Sequence, residues 1–381
     1  MKVIIIATIL FIGFVSATDQ EKLNGYVDLI MQEESAVKKH NQQEYSQWNS
    51  GLFDEILDSP NPNIRIFAIR NLIYLIENND SESTLTNKIN TYKLDNFIQE
   101  ILEDDSVGPQ ALLMLSAFCN KKINNLCDNQ RLSQKLIDLE PNNIRSYVSL
   151  LDNAVKSEIP SETEAALTTI AKAQYINNHF NSQTEFTQLV QNYIKDHPAP
   201  QSHIDKNLNA FGLTELKQKY TQIELNEHLL FSTMVGIEMA IPSDNYYRLI
   251  KQACKDNLSS VQDCLKISNT LINNSYTVLS KWLGYDIQLS IHENEGNLEK
   301  YKSINDQKKN FNHAYTCISN KLFPLSRSGF LVSKNFHRIT SKIGAEKGEF
   351  ARLRKMAELI YKDQISNGNH EAINPESCFV S

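Results

Sequence analysis

The 381-residue sequence is poor in the residues that interrupt helices: glycine occurs 12 times and proline 10 times. That is too few for the frequent turns of a sandwich or barrel, and apolar residues recur at spacings of three and four instead of two. Strand signals are nearly absent, so an all-β or parallel-sheet fold is excluded. The motifs of several large enzyme classes are missing as well. There is no G-x-S-x-G, P-loop, G-x-G-x-x-G or H-E-x-x-H, which is informative but not decisive, since many active sites are assembled from residues far apart in sequence. No apolar run reaches the roughly 18 residues that cross hydrocarbon. A net charge of −7 carries no global signature of nucleic-acid binding.

The longest apolar run lies at the start. Lys2 precedes an apolar stretch from Val3 to Val15, and Val15-Ser16-Ala17 ends it with small residues, the pattern of a secretory signal peptide covering 1–17. The expectation is an exported chain, periplasmic or extracellular, that begins near Thr18 and has no transmembrane segment after cleavage. Its length exceeds the roughly 250–300 residues at which single cores stop growing, which predicts two units.

Six cysteines follow: Cys119, Cys127, Cys254, Cys264, Cys317 and Cys378. An even number in an exported chain favours oxidised pairs over metal ligands. Proximity favours Cys119 with Cys127 and Cys254 with Cys264, each flanking a short connection between helices, and leaves Cys317 with Cys378. No C-x-x-C occurs and no histidine sits at ligand spacing from these cysteines, so neither zinc nor another cofactor is expected.

Helix starts are marked by three capping-box patterns, at Thr18 to Glu21, Ser161 to Glu164 and Ser182 to Glu185. At Ser59-Pro60-Asn61-Pro62 the chain breaks, and Asn61 is expected to cap a helix with Pro62 at its first position. That helix is predicted to run to about Glu77, with Ile66, Ile69, Ile73 and Ile76 on one stripe widened by Phe67 and Leu72. Helices follow at roughly 93–104, 108–120, 128–139, 143–156 and 162–175. After a boundary at His197-Pro198-Ala199-Pro200 come a long helical pattern from about 213 to 240 and helices near 244–254, 259–274, 296–320, 331–343 and 346–364. The two regions are thus 18–196 and 201–381. Trp48, Trp282 and the other aromatics are assigned to the core.

One hairpin carries a resemblance. Glu140-Pro141-Asn142-Asn143, then Tyr147, Leu150 and Ala154 on a first helix and Ala166, Ile170 and Ala173 on a second, resemble a tetratricopeptide repeat near residues 140–175. The spacing from Tyr147 to Ala166 is longer than in that family, Leu151 stands where it prefers glycine, and no second unit follows at a 34-residue period. The resemblance implies a superhelical helical-hairpin arrangement locally, and a protein or peptide as partner.

Few residues point to chemistry. Ser35-Ala36-Val37-Lys38 matches the S-x-x-K of serine acyl enzymes, but the partner motifs of those enzymes are missing. His292-Glu293-Asn294-Glu295 places a histidine beside carboxylates, but Gly296 follows as a helix stop, so a solvated helix end is expected. His228, His313 and His337 are scattered. From 321 to 362 ten basic residues face three acidic ones, and Lys334, Arg338, Lys342, Arg352, Arg354 and Lys355 form a candidate interaction face. The chain therefore reads as an all-α, disulfide-stapled protein with a tetratricopeptide-like N-terminal half, most consistent with a protein-binding or scaffold module. Two alternatives stay open: a secreted enzyme with a non-local site, and an effector that binds anionic membrane or glycan through the 321–362 segment. Catalytic residues are unknown and no metal site is expected.

Overall fold

A computed structural model describes residues 38–68, 94–119, 127–179, 184–210, 214, 218, 221, 224–225, 246–256, 260–322, 334–366, 368–369 and 372–379. Among these residues every regular element is helical and no strand occurs. Isolated bridges join Asn143 to Tyr175 and Ile176 to Ser275. The described residues fall into two units, each discontinuous in sequence: those within 1–93 and 183–241 form one, and those within 94–182, 242–324 and 334–381 the other. This differs from the division expected at 197–200. Pro198 and Pro200 do end a helix, but they form a turn inside the first unit, because a helix break does not decide which faces pack together.

In the first unit α1 (Lys38–Leu57) is followed by helical residues 62–68, α7 (Thr184–Asp196) and α8 (Gln201–Ala210); the five helices between residues 94 and 170 belong to the second unit. Asn61 caps the 62–68 helix as its sequence predicts: its Oδ1 accepts from Asn63 N at 2.9 Å, and Pro62 follows as the first helical residue. Ile66 and Phe67 are buried, and Phe67 stacks on Phe186 of α7 with centroids 3.9 Å apart. Trp48 Nε1 donates to His197 O at 2.6 Å, and Tyr193 OH donates to Trp48 O at 2.8 Å. Gly51 makes room for that tyrosine, since a Cβ there would sit 2.3 Å from the Tyr193 hydroxyl.

The second unit begins with α2 (Leu94–Glu103), α3 (Pro109–Cys119) and α4 (Asn129–Leu139). Every residue of α3 from Ala111 to Cys119 is buried, as an all-round apolar helix must be. Lys135 of α4 donates to the carbonyls of Leu102 and Asp104, at 3.2 and 2.6 Å, which satisfies the end of α2. A 3-10 turn (Ile144–Tyr147) leads into α5 (Val148–Lys156), which forms a hairpin with α6 (Pro160–Ile170). Tyr147, Ala154, Ala166, Ile170 and Ala173 are buried together, but Leu150 is 38% exposed and Leu151 takes the interior position. The capping box expected at Ser161 is not formed. α6 starts two residues earlier than that box requires because Pro160 fits the first helical position, and its N-cap, Ile159, makes no side-chain bond.

The rest of the unit is α9 (Tyr246–Asp256), α10 (Val261–Asn273), α11 (Val278–Asn294), α12 (Leu298–Leu322), α13 (Lys334–Lys347) and α14 (Glu349–Ser366), closed by a 3-10 turn (Pro375–Phe379). Helices α5, α6, α9, α10 and α11 share one core that includes Leu151, Leu167, Ile250, Ile267, Leu271 and Ile287. The sequence reading marks the end of α11 at His292–Glu295 but gives no range for the helix itself. Gly284 on α11 is required by close approach: a Cβ there would lie 2.7 Å from Ser268 O and 2.8 Å from Ile272 Cγ1 of α10. Three disulfides staple the unit, Cys119–Cys127, Cys254–Cys264 and Cys317–Cys378, with Cα separations of 5.7, 5.6 and 5.6 Å. They are the pairs that proximity favours, and the third ties the C-terminal turn to α12. Among the described residues no helix is long and apolar enough to cross a membrane.

The residues assigned to a signal peptide lie outside the described residues, as do Ile69, Leu72, Ile73, Ile76, the Thr18 box, Ser182, His228 and most of the 213–240 pattern.

Candidate functional site

Two features of the second unit bring polar groups together. The first surrounds Glu140, where the chain leaves α4. The carboxylate accepts from His179 Nε2 at 2.8 and 2.9 Å to its two oxygens, from Asn143 Nδ2 at 2.7 Å and from Tyr175 OH at 3.3 Å. Glu140 and His179 side chains are 13% and 15% exposed. Burial alone would raise the glutamate's pKa, but the bonds from His179, Asn143 and Tyr175 outweigh it and hold the carboxyl below the usual range. Burial and the nearby Glu140 charge push Tyr175 up to about 12. Asn143 is itself fully engaged: its Oδ1 accepts from Arg145 N and Asn177 N, each at 3.1 Å, and its Nδ2 also donates to Asn177 O at 2.9 Å. Asn178 Nδ2 donates to Tyr246 OH at 3.1 Å, and Arg145 lies over the Tyr246 ring at 4.2 Å. His179 takes a left-handed backbone, φ 55°, to reach back to Glu140.

Chemically this cluster is a clasp. The carboxylate accepts from Tyr175 and His179 of the loop it holds and from Asn143 of its own turn, and Ile176 of that loop pairs across to the segment joining α10 and α11 through Ile176 N to Asn274 O at 3.2 Å and Tyr276 N to Ile176 O at 3.1 Å. His179 and Tyr175 were not singled out from sequence. They lie 39 and 35 residues from Glu140, and only the fold unites them.

The second feature is a cleft of about 240 Å³ where α9, α10 and α11 meet. Its buried lining is apolar: Cys254, Ile287 and Ile291, with Val261 half-buried. Its exposed rim carries Lys251 and Lys255 from successive turns of α9, and Asn294 and Glu295 from the end of α11. Lys251 Nζ lies 2.9 Å from Asp286 Oδ2, and Lys308 Nζ lies 2.6 Å from Asp286 Oδ1. Burial raises the Asp286 pKa, and these two lysines more than reverse that, leaving it below the ordinary value.

The residues singled out from sequence fall as follows. His292 Nδ1 lies 3.3 Å from Glu295 Oε2 at the end of α11, where Gly296 turns the chain with φ +68°. His313 is exposed on α12. Ser35 lies outside the described residues, and Lys38 opens α1. Of the basic face, the side chains of Lys334 and Arg338 lie outside the described residues. Lys342 pairs with Glu346 at 3.8 Å, Lys355 with Glu358 at 2.9 Å, and Arg354 Nη2 with both oxygens of Glu376 at 2.8 and 2.9 Å. Arg354 also covers the Phe379 ring at 4.4 Å, and Arg352 adds a favourable charge near the half-buried Glu349. The structure thus spends Arg354 on holding the C-terminal turn beside the Cys317–Cys378 bond. Among the described residues no three histidine, cysteine or acidic side chains are grouped as metal ligands. Compared with known proteins, the chain matches no family model, no curated protein and no solved structure.

Proposed function

We propose that the protein is exported and acts by binding another protein or peptide, with the disulfide-stapled unit as the binding body. The observation that carries this reading is the cleft between α9, α10 and α11: an apolar recess open to solvent, with charged side chains at its rim, set in helices locked together by a disulfide. Such a recess suits an anchor side chain of a partner, the kind of buried contact that dominates protein interfaces. The α5–α6 hairpin supports the same reading through its tetratricopeptide-like burial of Tyr147, Ala154, Ala166 and Ile170. Export is supported by the apolar run after Lys2 and by three cystines, which persist in oxidising compartments.

The test is affinity capture from periplasmic and culture fractions with the oxidised protein, paired with non-reducing peptide mapping. A stoichiometric protein partner, released when the cystines are reduced, is expected. Intact cystines with no captured partner overturn the reading.

A further inference from the structure

We infer that the cleft between α9, α10 and α11 takes the C-terminal residue of a partner peptide, an apolar side chain bearing a free carboxylate. The inference deepens the binding reading and rests on it. Size sets the first limit. About 240 Å³ is below the roughly 300–1,000 Å³ of pockets for drug-sized molecules, so the recess holds one residue and not an extended ligand. Its lining sets the second, because Cys254, Ile287 and Ile291 are buried and offer no charge to a side chain that enters.

Charge then selects the end of a chain over its middle. Two lysines and one glutamate line the cleft. Glu295 is turned to His292, and Lys251 is shared with Asp286, which leaves the exposed Lys255 to meet an incoming anion. α10 also begins here with Val261, and its N-cap Ser260 makes no side-chain capping bond. A helix start favours negative charge within its first turn. The acid of that turn, Asp263, is already engaged by Thr168 at 2.7 Å and Lys266 at 3.2 Å. A carboxylate at the rim would therefore gain a charge-assisted contact that an internal peptide residue lacks. Asn294 at the rim can serve the peptide amide. The ends of α9 and α11 also reach the cleft and favour cations, so an amine of the same shape is the sharpest competitor.

The experiment titrates the full-length oxidised protein with N-acetyl-leucine, N-acetyl-leucine amide and isopentylamine by saturation-transfer NMR. The acid is expected to bind with a Kd of about 1 mM, the range open to so small a ligand, and the amide about tenfold more weakly. Lys255→Gln should weaken the acid about tenfold and leave the amide unchanged, while Ser290→Trp, at the half-buried edge of the cleft, should abolish both. Circular dichroism and peptide mapping confirm that both variants keep the fold and cystines. Equal binding of acid and amide, preference for the amine, indifference to Lys255→Gln, or no binding up to about 10 mM overturns the inference. Capture of a partner by the Ser290→Trp protein overturns it too while leaving the binding reading intact, whereas absence of any partner for the unaltered protein removes that reading itself.

Discussion

Two glutamates in the second unit, Glu140 and Glu349, do the same structural task with opposite electrostatics. Glu140 holds a loop against α4, and Glu349 joins α14 to the start of α11, where its Oε2 accepts from Val278 N at 2.9 Å and its backbone N donates to Tyr276 O at 2.7 Å. Burial pushes the Glu349 carboxyl above its ordinary range, and the Val278 N–H and the Arg352 charge only partly offset that. Glu140 is also half-buried, yet its carboxyl is held low, because three side chains donate to it. The difference is the number of donors: burial penalises both charges, and only Glu140 has enough hydrogen bonds to reverse the penalty.

Removing the carboxylate breaks the comparison most strongly. Glu140→Ala leaves His179, Asn143 and Tyr175 without their shared acceptor inside the fold. Breaking such a buried pair costs about 3 kcal/mol or more. The protein has two tryptophans, Trp48 in the first unit and Trp282 in the second, so a Trp48→Phe background makes fluorescence report the second unit alone. Urea unfolding of that background should show the midpoint drop. The hydrogen-exchange protection of Ile176 and Tyr276, whose amides complete the bridge to α10 and α11, should fall first. Unchanged protection there would mean that the clasp does not hold the loop.

The Glu349 junction is bound by shape more than by charge. Gly348 has φ +84°, and a Cβ on it would lie 2.8 Å from both Tyr276 Cα and Tyr276 O. Backbone cannot yield as a side-chain tip can, so Gly348→Ala combines a left-handed strain with an overpacked contact. The expected loss is about 2 kcal/mol, read by the same Trp282 transition. The equivalent glycine at 368 also has a positive φ but meets nothing within 4 Å, so Gly368→Ala should cost about 1 kcal/mol from backbone strain alone.

What the sequence reveals and conceals follows the range of the interactions. The Asn61-Pro62 helix start and the cystines closed over 8 and 10 residues depend on neighbours in the chain, and they are legible there. The helix from Val278 to Asn294 is not, because it buries Val278, Leu283, Tyr285, Ile287 and Ile291 around more than one side and so shows no single apolar stripe. The Ser161 box fails because a neighbouring proline competes for the same helix start. The two discontinuous units and the Glu140–His179 contact are set by pairings between distant segments, which no local pattern records. The cleft lies in the same class: Lys255, Val261 and Ile291 become neighbours only when three helices close on a cystine.

The finest test of the comparison is its pH dependence. A group with a folded pKa below its unfolded value contributes stability above the unfolded pKa and loses it as pH falls through the folded one. Glu140 belongs to this class. Glu349 belongs to the other: its contribution is fully present below the unfolded glutamate pKa of about 4.3 and is lost as pH rises through its folded value. Above that value the charged Glu349 is a net cost that Val278 and Arg352 only partly offset, and Glu349→Gln removes it while keeping an oxygen for the Val278 N–H. The substitution should therefore raise second-unit stability slightly at neutral pH, by about 1 kcal/mol or less, and flatten the slope between pH of about 4.3 and the folded value. Glu140→Gln should do the reverse, lowering stability at neutral pH and removing the loss seen on acidification. If both glutamines change the pH profile in the same direction, the donors around Glu140 do not distinguish it from Glu349, and burial alone governs the two sites.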